Sequence, residues 1–177
     1  MSPGRRSRAG RPQERGASAV EFAIILPVLV VLIFGIIDYG AFFFDSIGLK
    51  QGNREAARQA VVLRVDTAAC GTSISYDAIA CTARSGSYNV LGQGTPRVKV
   101  KMAIQTSAPN TTNAWKQGNQ FVVCTQVSEK AVTGLVPFPA NGIVQSKTVF
   151  SIEKDSSVPT GTLVSDAAPT GGNWSWC

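Results

Sequence analysis

From Gly16 to Phe44 the chain is apolar at nearly every position, GASAVEFAIILPVLVVLIFGIIDYGAFFF. A helix rises 1.5 Å per residue, and about 20 apolar residues cross the hydrocarbon core of a bilayer. The pattern predicts a transmembrane helix over 17–44. Two acids interrupt it, Glu21 and Asp38. Carboxylates within such a segment are unfavourable in lipid, so each needs an account. Pro27 removes the hydrogen bond to the carbonyl of Ala23 and predicts local loosening, which membrane helices tolerate.

Past Phe44 the patterning changes several times. Residues 45–65 include the good helix formers NREAARQAV, and Ile47, Gln51, Arg54, Arg58 and Val61 recur three or four apart. A juxtamembrane helix is expected there, weakened at Gly48 and Gly52, each by about 1 kcal/mol relative to alanine. Gly48-x-x-x-Gly52 also has the spacing of a close helix contact, although outside the lipid. Residues 66–96, rich in Ser, Thr and Gly, predict a cysteine-containing loop region with one helical turn around Tyr76–Ala83.

Strand signals follow. Residues 97–104 alternate polar and apolar, 119–128 are rich in β-branched side chains, and 143–154 form a third candidate that ends in charge. Pro137, Pro139 and Asn141-Gly142 separate the last two. An antiparallel β domain of about three strands is expected over 97–155. The tail, 156–177, reads as loose unless Cys177 is bridged. The predicted class is α+β: a long N-terminal transmembrane helix continuing into an extracytoplasmic helix, then a small antiparallel sheet.

The net charge of +6 is unevenly placed. Arg5, Arg6, Arg8, Arg11 and Arg15 oppose only Glu14 ahead of the apolar run. Residues 1–16 have almost no apolar side chain to pack and read as a basic disordered leader. Basic residues beside a membrane segment stay in the cytoplasm, which puts the N-terminus inside and the rest outside. A nucleic-acid-binding arm is the competing reading, but no folded basic or aromatic surface accompanies the arginines.

Histidine is absent from the sequence. That removes His-based acid–base chemistry, His-activated nucleophiles and most catalytic zinc sites. Scattered carboxylates show no converging pair, so neither catalysis nor a cofactor, metal or small-molecule substrate is expected. The four cysteines, Cys70, Cys81, Cys124 and Cys177, all follow the membrane segment and include no CxxC pair. An even count on the exterior side favours two disulfides among three possible connectivities. Cys70–Cys81, closing a short loop, with Cys124–Cys177 is the favoured pairing. Buried free thiols are the alternative.

At the junction of leader and apolar run stands Gly16-Ala17-Ser18-Ala19-Val20-Glu21-Phe22. This resembles the processing site of class IVb prepilins and pseudopilins. EFAIILPVLVVLIFGIIDYG followed by NREAARQAV is similar to the TadE-like family of tight-adherence pilus assembly proteins. The resemblance is specific over about 15–62 and extends in pattern to GLVPFPANGIVQSKTVFSIEK. It implies cleavage between Gly16 and Ala17 by a prepilin peptidase. It also implies partnership with other pilins or pseudopilins through the N-terminal helix, in the bacterial cytoplasmic membrane or a surface pilus.

Within that frame Glu21, followed by Phe22, has two readings. It pairs with the freed Ala17 ammonium of an adjacent subunit, or it simply lies wet in the headgroup region. Asp38 either snorkels to the outer interface beside Tyr39 or pairs with a neighbouring helix during assembly. Phe42, Phe43 and Phe44 suit an outer aromatic belt. The function implied is that of a non-enzymatic pseudopilin in pilus assembly or secretion. A permanently signal-anchored binding module, with Gly16–Ala17 intact, is the alternative. An exported enzyme is disfavoured, because the apolar run exceeds the roughly 7–15 residues of a signal-peptide core.

Overall fold

The computed structural model describes residues 14–64, 70–71, 73–86, 98–107, 114–135, 137–157 and 159–177. Most of the basic leader and much of the 66–96 segment lie outside them. Helix α1 runs without a break through Glu14–Val61, 48 residues with Pro27 inside. At 1.5 Å per residue it is about 70 Å long. Its two halves differ. No side chain from Gly16 to Ile37 is buried, whereas from Asp38 onward one face is covered: Asp38, Asp45, Leu49, Asn53, Ala56 and Ala60. Those positions recur three, four or seven apart, the spacing of one helical face.

The helix ends in a Schellman arrangement. The Arg64 amide donates to the Gln59 carbonyl and the Leu63 amide to Ala60, with Leu63 left-handed at φ 55°.

Helix α2, Tyr76–Ser85, starts where the Ser75 hydroxyl accepts from the Ala78 amide at 3.1 Å. A disulfide joins Cys70 to Cys81 and ties the preceding turn to this helix. The helices approach closely where α2 ends. A Cβ on Gly86 would lie 2.4 Å from the Gly52 Cα. The glycine that weakens the juxtamembrane helix in isolation thus admits a neighbouring backbone.

Strands β1 (Lys99–Gln105), β2 (Gln120–Ser128) and β3 (Ile143–Ser151) form an antiparallel meander in the order β1-β2-β3. Met102 pairs with Val123 and Ile104 with Phe121, so β1 and β2 present alternate apolar residues to the helices. Val100, Met102, Ile104, Phe121 and Val123 are buried on that face with Ile79, Tyr76 and Trp115. Each large apolar side chain removed from water contributes about 1.5–3 kcal/mol. The Phe121 ring sits 5.0 Å from Trp115 and 6.3 Å from Tyr76.

The C-terminal segment is bridged through Cys177, the condition under which a loose tail is not expected. It runs beside the free edge of β1, where the Met102 amide donates to Val164 and the Asp166 amide to Val100. Asp166 also accepts from the Val100 amide at 2.8 Å and pairs with Arg84 of α2 at 2.7 Å. The Trp174 indole donates to the Asp166 carbonyl. A second disulfide, Cys124–Cys177, fastens the end of the chain to the central strand. Pairing along β1 thus covers a sheet edge that would otherwise expose unpaired backbone.

Candidate assembly interface

Gly16 and Ala17 lie in the first turns of α1, exposed, and nothing approaches within 4 Å of a Cβ placed on Gly16. Glu21 is exposed on the same stretch, next to Phe22 at 59 % exposure. From there to Ile37 the side chains are apolar and none is buried, with Ile24, Val28, Leu32 and Ile36 among the most exposed. A helix apolar all round is stable only where its entire surface meets lipid or other helices. Among the described residues α1 is the one helix long and apolar enough to cross a membrane.

Asp38 ends this bare segment, and its carboxylate is directed within its own chain. The Thr133 amide donates to it at 2.9 Å and the Thr133 hydroxyl donates to its other oxygen. The side chain is fully covered. Thr133 lies in the β2–β3 loop, which folds down along the helix. The Tyr39 hydroxyl donates to the Pro137 carbonyl at 3.2 Å, and the Phe42 and Phe138 rings meet at 5.0 Å. Phe43 and Phe44 remain exposed.

A buried carboxylate with two donors is compatible with its charge, and removing a donor leaves a buried acceptor short by about 1–3 kcal/mol. Thr133→Val should therefore loosen this latch. Hydrogen exchange of the amide at position 133, which donates to Asp38, is expected to accelerate while core amides in β2 keep their protection. Unchanged exchange at that amide would show that the ring contacts alone hold the loop.

The NREAAR segment divides its residues among separate tasks. Asn53 is buried and its amide nitrogen reaches the carbonyls of Val123 at 3.0 Å and Ser146 at 3.1 Å, with the Ser146 hydroxyl also at 3.1 Å. Ala56 and Ala57 are fully buried, small enough to let α1 lie close to its neighbours. Glu55 and Arg58 face outward as a two-contact ion pair at 2.8 and 3.1 Å. The Arg58 guanidinium, then the Gln59 amide, hold the Glu55 carboxyl below the usual carboxylate range. On so exposed a pair the stabilisation is about 0–1 kcal/mol.

Sequence reasoning did not find Thr133, Phe138 or the inward role of Asn53. One signal was present: residues 131–141, AVTGLVPFPAN, contain no charge and several apolar side chains, which is unusual for a solvent loop. Among the described residues no group of three His, Cys, Asp or Glu side chains could hold a metal ion.

The fold and the bare helix define a membrane-anchored α+β protein with a single candidate spanning segment among the described residues. In a comparison with protein families, residues 16–58 fit the model of the TadE-like protein family. The resemblance seen in EFAIILPVLVVLIFGIIDYG and NREAAR thus holds over the helix that carries it. The match ends inside α1, so the sheet and tail stand outside it. Comparisons with curated proteins and with solved structures give no match.

Proposed function

We propose that this chain is a TadE-like pseudopilin, a non-enzymatic component of tight-adherence pilus assembly or secretion. The observation that carries the reading is the family match over residues 16–58, coinciding with a helix bare on every side until Asp38. Such a rod can remain in the bilayer or exchange lipid for the helices of neighbouring subunits. Neither exchange requires the outer domain to refold, because the latch at Asp38 leaves the segment below it untouched.

In this reading the arginine-rich leader stays in the cytoplasm, and the sheet domain stands outside the bacterial cytoplasmic membrane or on a pilus surface. A prepilin peptidase cuts between Gly16 and Ala17. The bond lies near the start of α1, where unwinding is easiest, and glycine weakens the helix there by about 1 kcal/mol relative to alanine. The new Ala17 ammonium of one subunit and Glu21 of the next then neutralise each other in a medium where an isolated charge is disfavoured.

N-terminal sequencing of protein purified from membranes tests the reading. The expected first residue is Ala17. A start at Met1 or Ser2 would identify a permanently anchored module that recognises a ligand through its outer domain.

A further inference from the structure

Because the β2–β3 loop is fixed to α1 at Asp38, it lies at the height where the bare apolar surface gives way to the folded domain. Residues 16–37 at 1.5 Å per residue measure about 33 Å, close to the roughly 30 Å of a hydrocarbon core. The loop therefore meets the outer boundary of any bilayer that the helix fills. Its exposed side chains are unusual for such a position. Leu135 is 58 % exposed and Val132 48 %, although no charge lies between Lys130 and Glu153 except Lys147, well along β3. At the same height α1 exposes Ile36, Ile37, Phe43 and Phe44. Loop and helix thus offer one continuous apolar zone.

We propose that this loop is a second membrane contact. In it Val132 and Leu135 enter the boundary between headgroups and acyl chains of the outer leaflet, while Lys130 faces lipid phosphate. The proposal rests on the membrane-spanning reading of α1. Three features on the loop support lipid as the occupant. It is continuous with a surface that itself needs lipid, it has almost no charge, and it is held rigidly by Thr133, Pro137 and Phe138 instead of swinging free. Partial insertion of a few apolar side chains is the mode by which interfacial elements bind, at a depth of about 5–10 Å. The latch also removes the need for Asp38 to meet lipid, since Thr133 supplies its donors. With two attachment points, the outer domain has a fixed height and tilt relative to the bilayer, where a helix alone would leave it free to rotate.

The test uses the full chain in phospholipid vesicles containing lipids brominated on the acyl chain. Three single variants are compared with wild type, whose Trp115, Trp174 and Trp176 set the background. They are Leu135→Trp in the loop, Ile25→Trp within α1 and Gln105→Trp at the far end of β1. All three positions are exposed, so each tolerates the larger ring. The expected result is that the added emission of Leu135→Trp is roughly halved by bromine, as befits an interfacial depth. Ile25→Trp should be quenched more strongly and Gln105→Trp not at all. If Ile25→Trp is quenched and Leu135→Trp is not, the loop proposal is overturned while the membrane helix stands. If neither is quenched, both readings fall. Equal quenching of Leu135→Trp and Gln105→Trp would mean that the domain lies on lipid without a specific foot, which also overturns the proposal.

Discussion

Alanine at position 142 should lower the stability of the outer domain by about 2–4 kcal/mol, the sum of backbone strain and overpacking. Gly142 has φ 77° and follows Ala140 and Asn141, which are already left-handed at 50° and 53°. The three residues turn the chain into β3. A Cβ on Gly142 would lie 2.1 Å from the Glu129 carbonyl oxygen, far inside the roughly 3.3 Å at which carbon and carbonyl oxygen ordinarily meet. The obstacle is backbone, so no side-chain rotation relieves it. Moving Glu129 would break the 2.8 Å bond from its amide to the Gly142 carbonyl, which closes the base of the loop.

At about 4 °C per kcal/mol for a domain of this size, melting should fall by roughly 10 °C, followed through the emission of buried Trp115 in detergent micelles. Gly134→Ala is the internal comparison. Its φ is 72°, but nothing lies within 4 Å of the added atom, so only strain of about 1–2 kcal/mol applies. Equal shifts for the two variants would mean that the close approach at Glu129 contributes nothing.

Much of this architecture was legible because it depends on short-range pattern. The apolar run, the alternation of 97–104 and the prolines after Ser128 each encode local backbone behaviour. α1, β1 and the loop appear where those signals predict them. The tail was legible only through Cys177, whose bridge to Cys124 the cysteine count favoured; its pairing with β1 was not. Glycine, proline and serine describe a segment that makes no regular structure, but they do not reveal that another strand lends it backbone partners. Val164 and Asp166 bond to β1, a relation with no periodicity to read. The partners of carboxylates are hidden for a similar reason. Asp166 looks like surface charge until Arg84 and the Val100 amide are brought beside it. Asp38 looked as though it needed water or a second molecule. Its donors come from a residue 95 positions away in the same chain.

Asn53 shows what that distance conceals and yields the other large effect. On α1 it could be any polar helix residue, yet its amide protons hold two strands through the carbonyls of Val123 and Ser146. Its own Oδ1 is buried with no donor among the described residues. Asn53→Asp keeps the shape but reverses the electrostatics, placing a carboxylate against two carbonyl oxygens with nothing to stabilise it. An uncompensated buried charge costs about 3–5 kcal/mol, so at neutral pH the variant should melt more than 10 °C below wild type or fail to fold.

The pH dependence separates this cause from a simple loss of packing. Burial and facing carbonyls raise the introduced group's folded-state pKa above its unfolded value. The folded variant therefore binds its proton more tightly, and stability is recovered as pH falls towards the unfolded carboxylate range, where the protonated acid can donate to one carbonyl. The gap to wild type should accordingly narrow on acidification and widen as pH rises through the folded-state value. Asn53→Leu, which removes the donors without adding charge, should be destabilised by a pH-independent amount. A gap for Asn53→Asp that is equally flat with pH would mean that the aspartate reaches water, and that α1 is not pinned to the sheet at this point.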